Sequence, residues 1–204
     1  MDKVDFKKSL KAFYGPTKAR GIHLVDVPPM RFLMIDGQGD PNTASSYADA
    51  VATLYAVAYA LKFASKTQLD KDYAVPPLEG LWWSRDMTAF AARDKDKWPW
   101  TMMLMVPEWV GPRMIDDAIT RTREKKAPAA LDKLRVELFE EGRAIQALHT
   151  GSYDEEGPLI AKMHEEAIER HGFSLTGKHH EIYLSDPRRV APEKLRTILR
   201  QPVK

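Results

Sequence analysis

The sequence predicts an α+β fold, and three observations carry that reading. First, the second half of the chain repeats the organisation of the first. Met30–Gly37 reads as an apolar strand, followed by a Gly/Pro/Asn loop, a long helix from about Ser46, and a short strand carrying Glu79. Ala144–His149 reads as a strand too, followed by a Gly/Ser/Asp loop, a helix from about Leu159, and a short strand carrying Glu181. Second, the helical segments show the 3.6-residue periodicity of elements with one covered face. Third, several intervening runs alternate apolar and charged residues, as half-buried strands do. Each half then holds roughly three antiparallel strands covered by one principal helix, and the copies can build one pseudo-symmetric body with a site between them.

Taken in order, residues 2–14 read as a short amphipathic lead-in helix, stopped at Gly15-Pro16 because proline removes a donor and restricts its predecessor. Ile22–Val27 reads as a strand ended by Pro28-Pro29, and Met30–Asp36 as a second extended run. Ser45 or Ser46 is placed to cap the next helix, with Asp49 forming an approximate capping box. Alanines fill that helix from Ala48 to Ala64, letting a sheet approach closely. Val75–Trp83 and Trp98–Val106 read as strands joined by a charged connection holding Asp94, Lys95, Asp96 and Lys97. Met102–Val106 is uniformly apolar, which suits a strand covered on both faces.

Pro107–Lys126 is helical in character, with Pro112 favouring a helix start. The second half opens with Asp132–Phe139, where Leu134, Val136 and Leu138 alternate with charges. Glu141-Gly142 offers a hairpin turn before Ala144–His149. The helix Pro158–Gly172 carries Ile160, Met163, Ala167 and Ile168 on an apolar stripe, with Gly172 as its stop. Glu181–Leu184 and Leu195–Leu199 read as closing strands.

Composition narrows the function. The 204 residues are 44% hydrophobic, enough for a proper core. Lys plus Arg number 31 against 29 Asp plus Glu, so the formal charge of +2 gives no marked attraction to nucleic acid or anionic lipid. The chain has no cysteine, which removes disulfides, thiol nucleophiles and thiolate metal ligands and fits a cytoplasmic setting. No signal-peptide core follows the charged N-terminus. Ala48–Ala64 contains Asp49 and Lys62, so it falls short of a membrane span.

Candidate chemistry centres on acids and aromatic rings. Glu181 lies within a short strand and shares its side with Tyr183, so carboxylate and phenol together can handle a proton or activate a water. The alternative places Glu181 in solvent beside Lys178 or an arginine. Glu79 has the parity of Leu81 and Trp83 and could lie across the pseudo-axis from Glu181, although solvent exposure is its more economical reading. Tyr55 and Tyr59 share a helix face, and five tryptophans, including Trp82, Trp83 and Trp109, are many for this length. These rings either fill a core or wall a cleft for flat or cationic ligands. His149, His164, His171, His179 and His180 invite a metal reading, but no His-Glu-x-x-His occurs and adjacent His179 and His180 point oppositely in a strand. Neither Gly37-Gln38-Gly39 nor the loop after His149 resembles a phosphate-binding or serine-hydrolase motif.

His149-x-Gly151-x-Tyr153, the helix after it, and Glu181-Ile182-Tyr183-Leu184-Ser185-Asp186-Pro187 together resemble the GyrI-like small-molecule-binding family. Met30–Gly39 resembles that family's opening strand. The resemblance covers most of residues 20–200 and implies a duplicated β-α-β-β (SHS2-like) unit, with a pseudo-two-fold sheet and helices over a central ligand cleft. It implies one domain over 21–204 after a lead-in of residues 1–20, its halves being about 21–126 and 127–204. Effector-binding members receive lipophilic cations at an acid resembling Glu181, and some stand-alone members hydrolyse electrophilic cyclopropane-bearing compounds with a glutamate and a tyrosine.

By that resemblance Glu181 and Tyr183 are the catalytic candidates. Trp82, Trp83, Trp109, His149 and Tyr153 are the ligand-binding ones, to which the shared helix face adds Tyr55. The expected partner is an aromatic or cationic small molecule, with neither metal nor organic cofactor, no nucleic-acid binding and no membrane insertion. A noncatalytic drug-binding or effector protein is the competing class, and a protein-interaction inhibitor a third.

Overall fold

A computed structural model of the protein describes residues 2–83 and 98–204. The charged connection through Asp94 to Lys97 lies outside the described residues. The described chain is α+β and antiparallel. Its elements are α1 (Phe6–Ser9), α2 (Lys11–Tyr14), β1 (His23–Val27), β2 (Met30–Gln38), α3 (Ser45–Gln68), β3 (Leu78–Trp82) and β4 (Pro99–Val106). They continue with α4 (Pro112–Lys126), β5 (Arg135–Phe139), β6 (Gly142–Thr150), α5 (Gly157–Glu165), β7 (His179–Tyr183) and β8 (Arg196–Pro202). No helix among the described residues is long and apolar enough to cross a membrane.

Two compact units divide these elements, and the division cuts across the order of the chain. The first holds residues 1–6, 30–76 and 82–139; the second holds 7–29, 77–81 and 140–204. In the first, β2 is flanked by β4 and β5, both antiparallel to it. In the second, β6 is flanked by β1 and β8, and β7 pairs with the other edge of β8. The anticipated hairpin at Glu141-Gly142 is therefore not formed, because β5 pairs with β2 while β6 pairs with β1. Gly142, at φ 71°, takes a left-handed conformation at the start of β6.

Packing in the first unit follows its sequence. Every residue of β4 after Pro99 is buried, as the uniformly apolar run Met102–Val106 implied. Helix α3 turns Ala50, Leu54, Val57, Ala58 and Leu61 inward. Its start differs from expectation: Ala44 occupies the cap without a side-chain bond, and the Ser46 hydroxyl points back to the Gln38 carbonyl at 3.5 Å. Gly37 is required by contact, since a Cβ there would come within 2.1 Å of the Trp100 ring. Alternation misleads in β5, where Val136 and Leu138 are 38% and 66% exposed. Their strand carries the predicted period without a covering layer on that face.

In the second unit, α5 lays Met163 and Ala167 against Ile145, Ala147, Leu199 and Val203. The expected stripe fails at its end, with Ile168 half exposed, because residues Glu166–Arg170 form a π-turn that rotates the last side chains. Gly172 ends the segment at φ 67°, as anticipated. The lead-in is two short helices, and Leu10, Phe13 and Tyr14 pack on Ile182 and Ile198 across the opposite face of the sheet.

Candidate functional site

Strand β7 separates two polar clusters because successive side chains point to opposite faces. His180 enters a buried ionic network. Its Nε2 lies 2.9 Å from Glu79 Oε2 and its Nδ1 lies 2.8 Å from Glu141 Oε1. Arg200 Nη1 donates to Glu141 Oε2 at 2.8 Å, and its Nη2 donates to the Phe13 carbonyl at 2.7 Å. Tyr14 donates to Glu79 Oε1 at 2.7 Å. Two acidic side chains thus meet one guanidinium and one imidazole in a dry interior. The neighbouring carboxylates raise His180 to about 9 against the cost of its burial. The same contacts hold Glu141 down to about 2.

Glu79 is therefore not solvated, the reading its sequence context favoured, but completely buried. It does not face Glu181 either: its partner is His180, on the other side of β7. No direct signal in the sequence marks this network, whose members come from 14, 79, 141, 180 and 200. A buried Glu in a short strand flanked by apolar residues implies a cationic partner. Adjacent His179 and His180 offered one.

The other face carries Glu181 and Tyr183. The Tyr183 hydroxyl donates to Glu181 Oε2 at 2.8 Å, so the shared side read from strand parity is realised as a direct bond. The Glu181 side chain is 16% exposed and so largely withdrawn from solvent. Its Oε1 stands 3.7 Å from His179 Nε2. His179 is buried and held neutral, lowered to about 3 by desolvation and by the neighbouring His164 and His180. Across the ladder, Tyr183 pairs with Thr197 and Thr197 with His149, placing these three side chains in a row.

Above the row, the turn Tyr153–Glu155 leads into α5 and is fixed by a capping box between Ser152 and Glu155. Tyr153 meets Tyr183 edge to face at 5.7 Å. Burial and the charges of Glu156, Glu181 and Asp186 push the Tyr153 phenol up to about 12. Glu156 was not anticipated from sequence. It is 3% exposed, and burial followed by the charge of Glu181 raises it far above the usual carboxylate range. Glu156, at the start of α5, is the acid whose charge environment includes Glu181, whereas Glu79 is bonded to His180 on the other side of β7. Its signal was available in Asp154-Glu155-Glu156, three acids where the helix-start pattern needed only one.

The remaining candidates occupy distinct places. His149 is buried, with Nε2 3.0 Å from the Ser152 carbonyl, and it lines a recess of about 410 Å³ with Thr17, Ile22, Leu159 and Lys162. The described walls of that recess do not include Glu181, Tyr183 or Glu156. Tyr55, Trp82, Trp83 and Trp109 belong to the first unit. Trp82 is buried, stacked on Tyr47 at 6.4 Å and edge-on to Trp98 at 6.4 Å. Trp83 is half-buried just after β3, and Tyr55 lies 6.3 Å from Tyr59 on α3. Trp109 stacks on Phe6 at 5.7 Å and donates to Ser65 Oγ at 3.0 Å. Among the described residues, no group of three or more His, Asp or Glu side chains is arranged to hold a metal.

Comparison with known proteins places this geometry. The model of the GyrI-like small molecule binding domain matches residues 21–204. The chain belongs to that family. An uncharacterized conserved protein from Listeria innocua is 44% identical, with a TM-score of 0.90, covering 99% of this chain and 100% of its own. A hydrolase from Listeria innocua is 42% identical, with a TM-score of 0.86 and the same coverage. A further hydrolase structure from that organism is 42% identical at a TM-score of 0.88, covering all of both chains. No curated protein matches. The GyrI-like chain therefore carries a small-molecule-binding domain over nearly its whole length.

Proposed function

We propose that this GyrI-like protein binds an aromatic or lipophilic cationic small molecule at Glu181 and hydrolyses an electrophilic, cyclopropane-bearing compound there without a cofactor. The observation that carries the reading is the 2.8 Å bond from Tyr183 to Glu181 Oε2 on the sheltered face of β7. A carboxylate oriented by a phenol can take a proton from a water placed beside it. Tyr183 supplies the hydroxyl that orients that water or protonates the carbanion-like centre left when the strained ring opens. Charge on Glu181 also attracts a cationic ligand, and the edge-on ring of Tyr153 adds apolar area beside it. The hydrolase names borne by two relatives at 42% identity point the same way.

The test is mass spectrometry of a cyclopropane-fused aromatic electrophile before and after incubation. The reading expects a product heavier by one water with the wild type and none with Glu181→Gln. A ligand recovered unchanged after saturable binding to the wild type would instead favour the noncatalytic drug-binding class.

A further inference from the structure

The recess of about 410 Å³ beside His149 has no part in the chemistry ascribed to Glu181, whose side chain is not among its described walls. One side of it is a strand edge. The pairing of β1 with β6 stops at His23 and Gln146, whereas β8 accompanies β6 as far as Thr150. The Arg143 carbonyl accepts from Val203 and the Gly151 amide donates to Leu195, so odd-numbered residues of β6 turn their backbone groups toward β8. Leu148 and Thr150 therefore direct theirs to the side that β1 has left, and both residues line the recess. A strand edge without a neighbouring strand is a template for another amide.

Two lysines share the lining. Lys18, in the turn Lys18–Arg20, and Lys162, on α5, come from different elements, and neither forms an ion pair among the described residues. Glu166, the acid in the lining, is engaged by Arg170 at 3.3 Å. The recess therefore draws anions and disfavours cations. Ile22 and Leu159 supply apolar wall, steadied by their packing on the core under α5. We propose that this recess binds a small carboxylate carrying an amide and an apolar group, the chemistry of an N-acylated amino acid. The carboxylate meets Lys18 and Lys162, the amide pairs with the backbone of Leu148 and Thr150, and the apolar group rests on Ile22 and Leu159. The volume is that of a small-molecule site. This ligand class differs from the cation expected at Glu181, so the two readings stand or fall separately.

The test is an NMR titration of the isotope-labelled full chain with N-acetyl-L-leucine at low ionic strength. Saturable shifts are expected at the backbone amide signals of Leu148 and Thr150. N-acetyl-L-leucinamide, uncharged but otherwise matched, should bind about tenfold more weakly, the usual worth of hydrogen bonds to a charged group. Lys18→Gln combined with Lys162→Gln should lower the affinity for the acid to that for its amide. Both lysines are exposed, so the melting temperature should be retained. Glu181→Gln should leave the affinity for the acid unchanged. Absence of saturable shifts, shifts confined to other residues, or equal affinities for the acid and its amide would overturn the carboxylate site and leave the reading of Glu181 untouched. Loss of carboxylate binding in Glu181→Gln would overturn it too, by showing that the acid binds at Glu181 and not in this recess.

Discussion

At the scale of single residues, the two faces of β7 make opposite demands on their ionisable groups. His180 is raised to about 9 in the fold from an ordinary 6.5. Its contribution to stability is complete below that ordinary value and lost as pH climbs through 9. Glu141 is lowered from 4.5 to about 2, so its contribution is present above 4.5 and lost as pH falls through 2. His179, neutral when buried, withdraws stability as pH falls from 6.5 toward 3. Glu156, raised, adds to the alkaline loss. Denaturant midpoints should therefore fall between pH 6.5 and 9, and His180→Gln should remove part of that fall. An unchanged alkaline slope in the variant would show that His180 is not held charged.

Removal of one partner should be severe, since it strands the others in a dry interior. Glu141→Gln leaves Arg200 and His180 short of a charge and should cost about 3 kcal/mol in urea unfolding. Sequence reasoning put Glu181 and Tyr183 on one side of their strand because the period of a strand is local and fixed. It missed Glu141 and Glu156, and it placed Glu79 in solvent, because the partners of all three lie far along the chain. Charge pairing across such separations leaves no periodic trace.

At the scale of elements, the legible features were those set by local chemistry. The fully apolar β4, the Pro112 start of α4 and the Gly172 stop are all present. Strand partnership was not legible: β1 joins β6, and β5 joins β2, although hairpins between sequence neighbours are the economical guess. Val136 and Leu138 show that alternation reports a pleat and not what covers it. Two substitutions test element packing. Gly37→Ala drives a methyl into the Trp100 ring and should destabilise the first unit by about 1–3 kcal/mol, read as a lowered unfolding midpoint. Tyr14→Phe removes the donor to buried Glu79 and should cost about 1–3 kcal/mol, which shows whether the lead-in segment anchors the second unit.

At the scale of the whole molecule, family membership covers residues 21–204, yet the preceding segment is structurally committed. Residues 10–14 cover one face of the second-unit sheet and cap its ionic network through Tyr14 and the Ala12 and Phe13 carbonyls. The duplicated sequence pattern is real as a run of elements, but each compact unit borrows an edge strand from the other half of the chain. One sheet face in the second unit is thus occupied by charges that hold the fold. The opposite face carries Glu181 and Tyr183 beside the core packed under α5.

The most direct measurement on that face is product formation by Glu181→Gln beside its ligand affinity, with an uncharged cyclopropane-fused aromatic electrophile. Turnover should drop at least a hundredfold, the usual contribution of a positioned base, while affinity changes little. Wild-type turnover in the variant would contradict the assignment of Glu181 as the group that activates water.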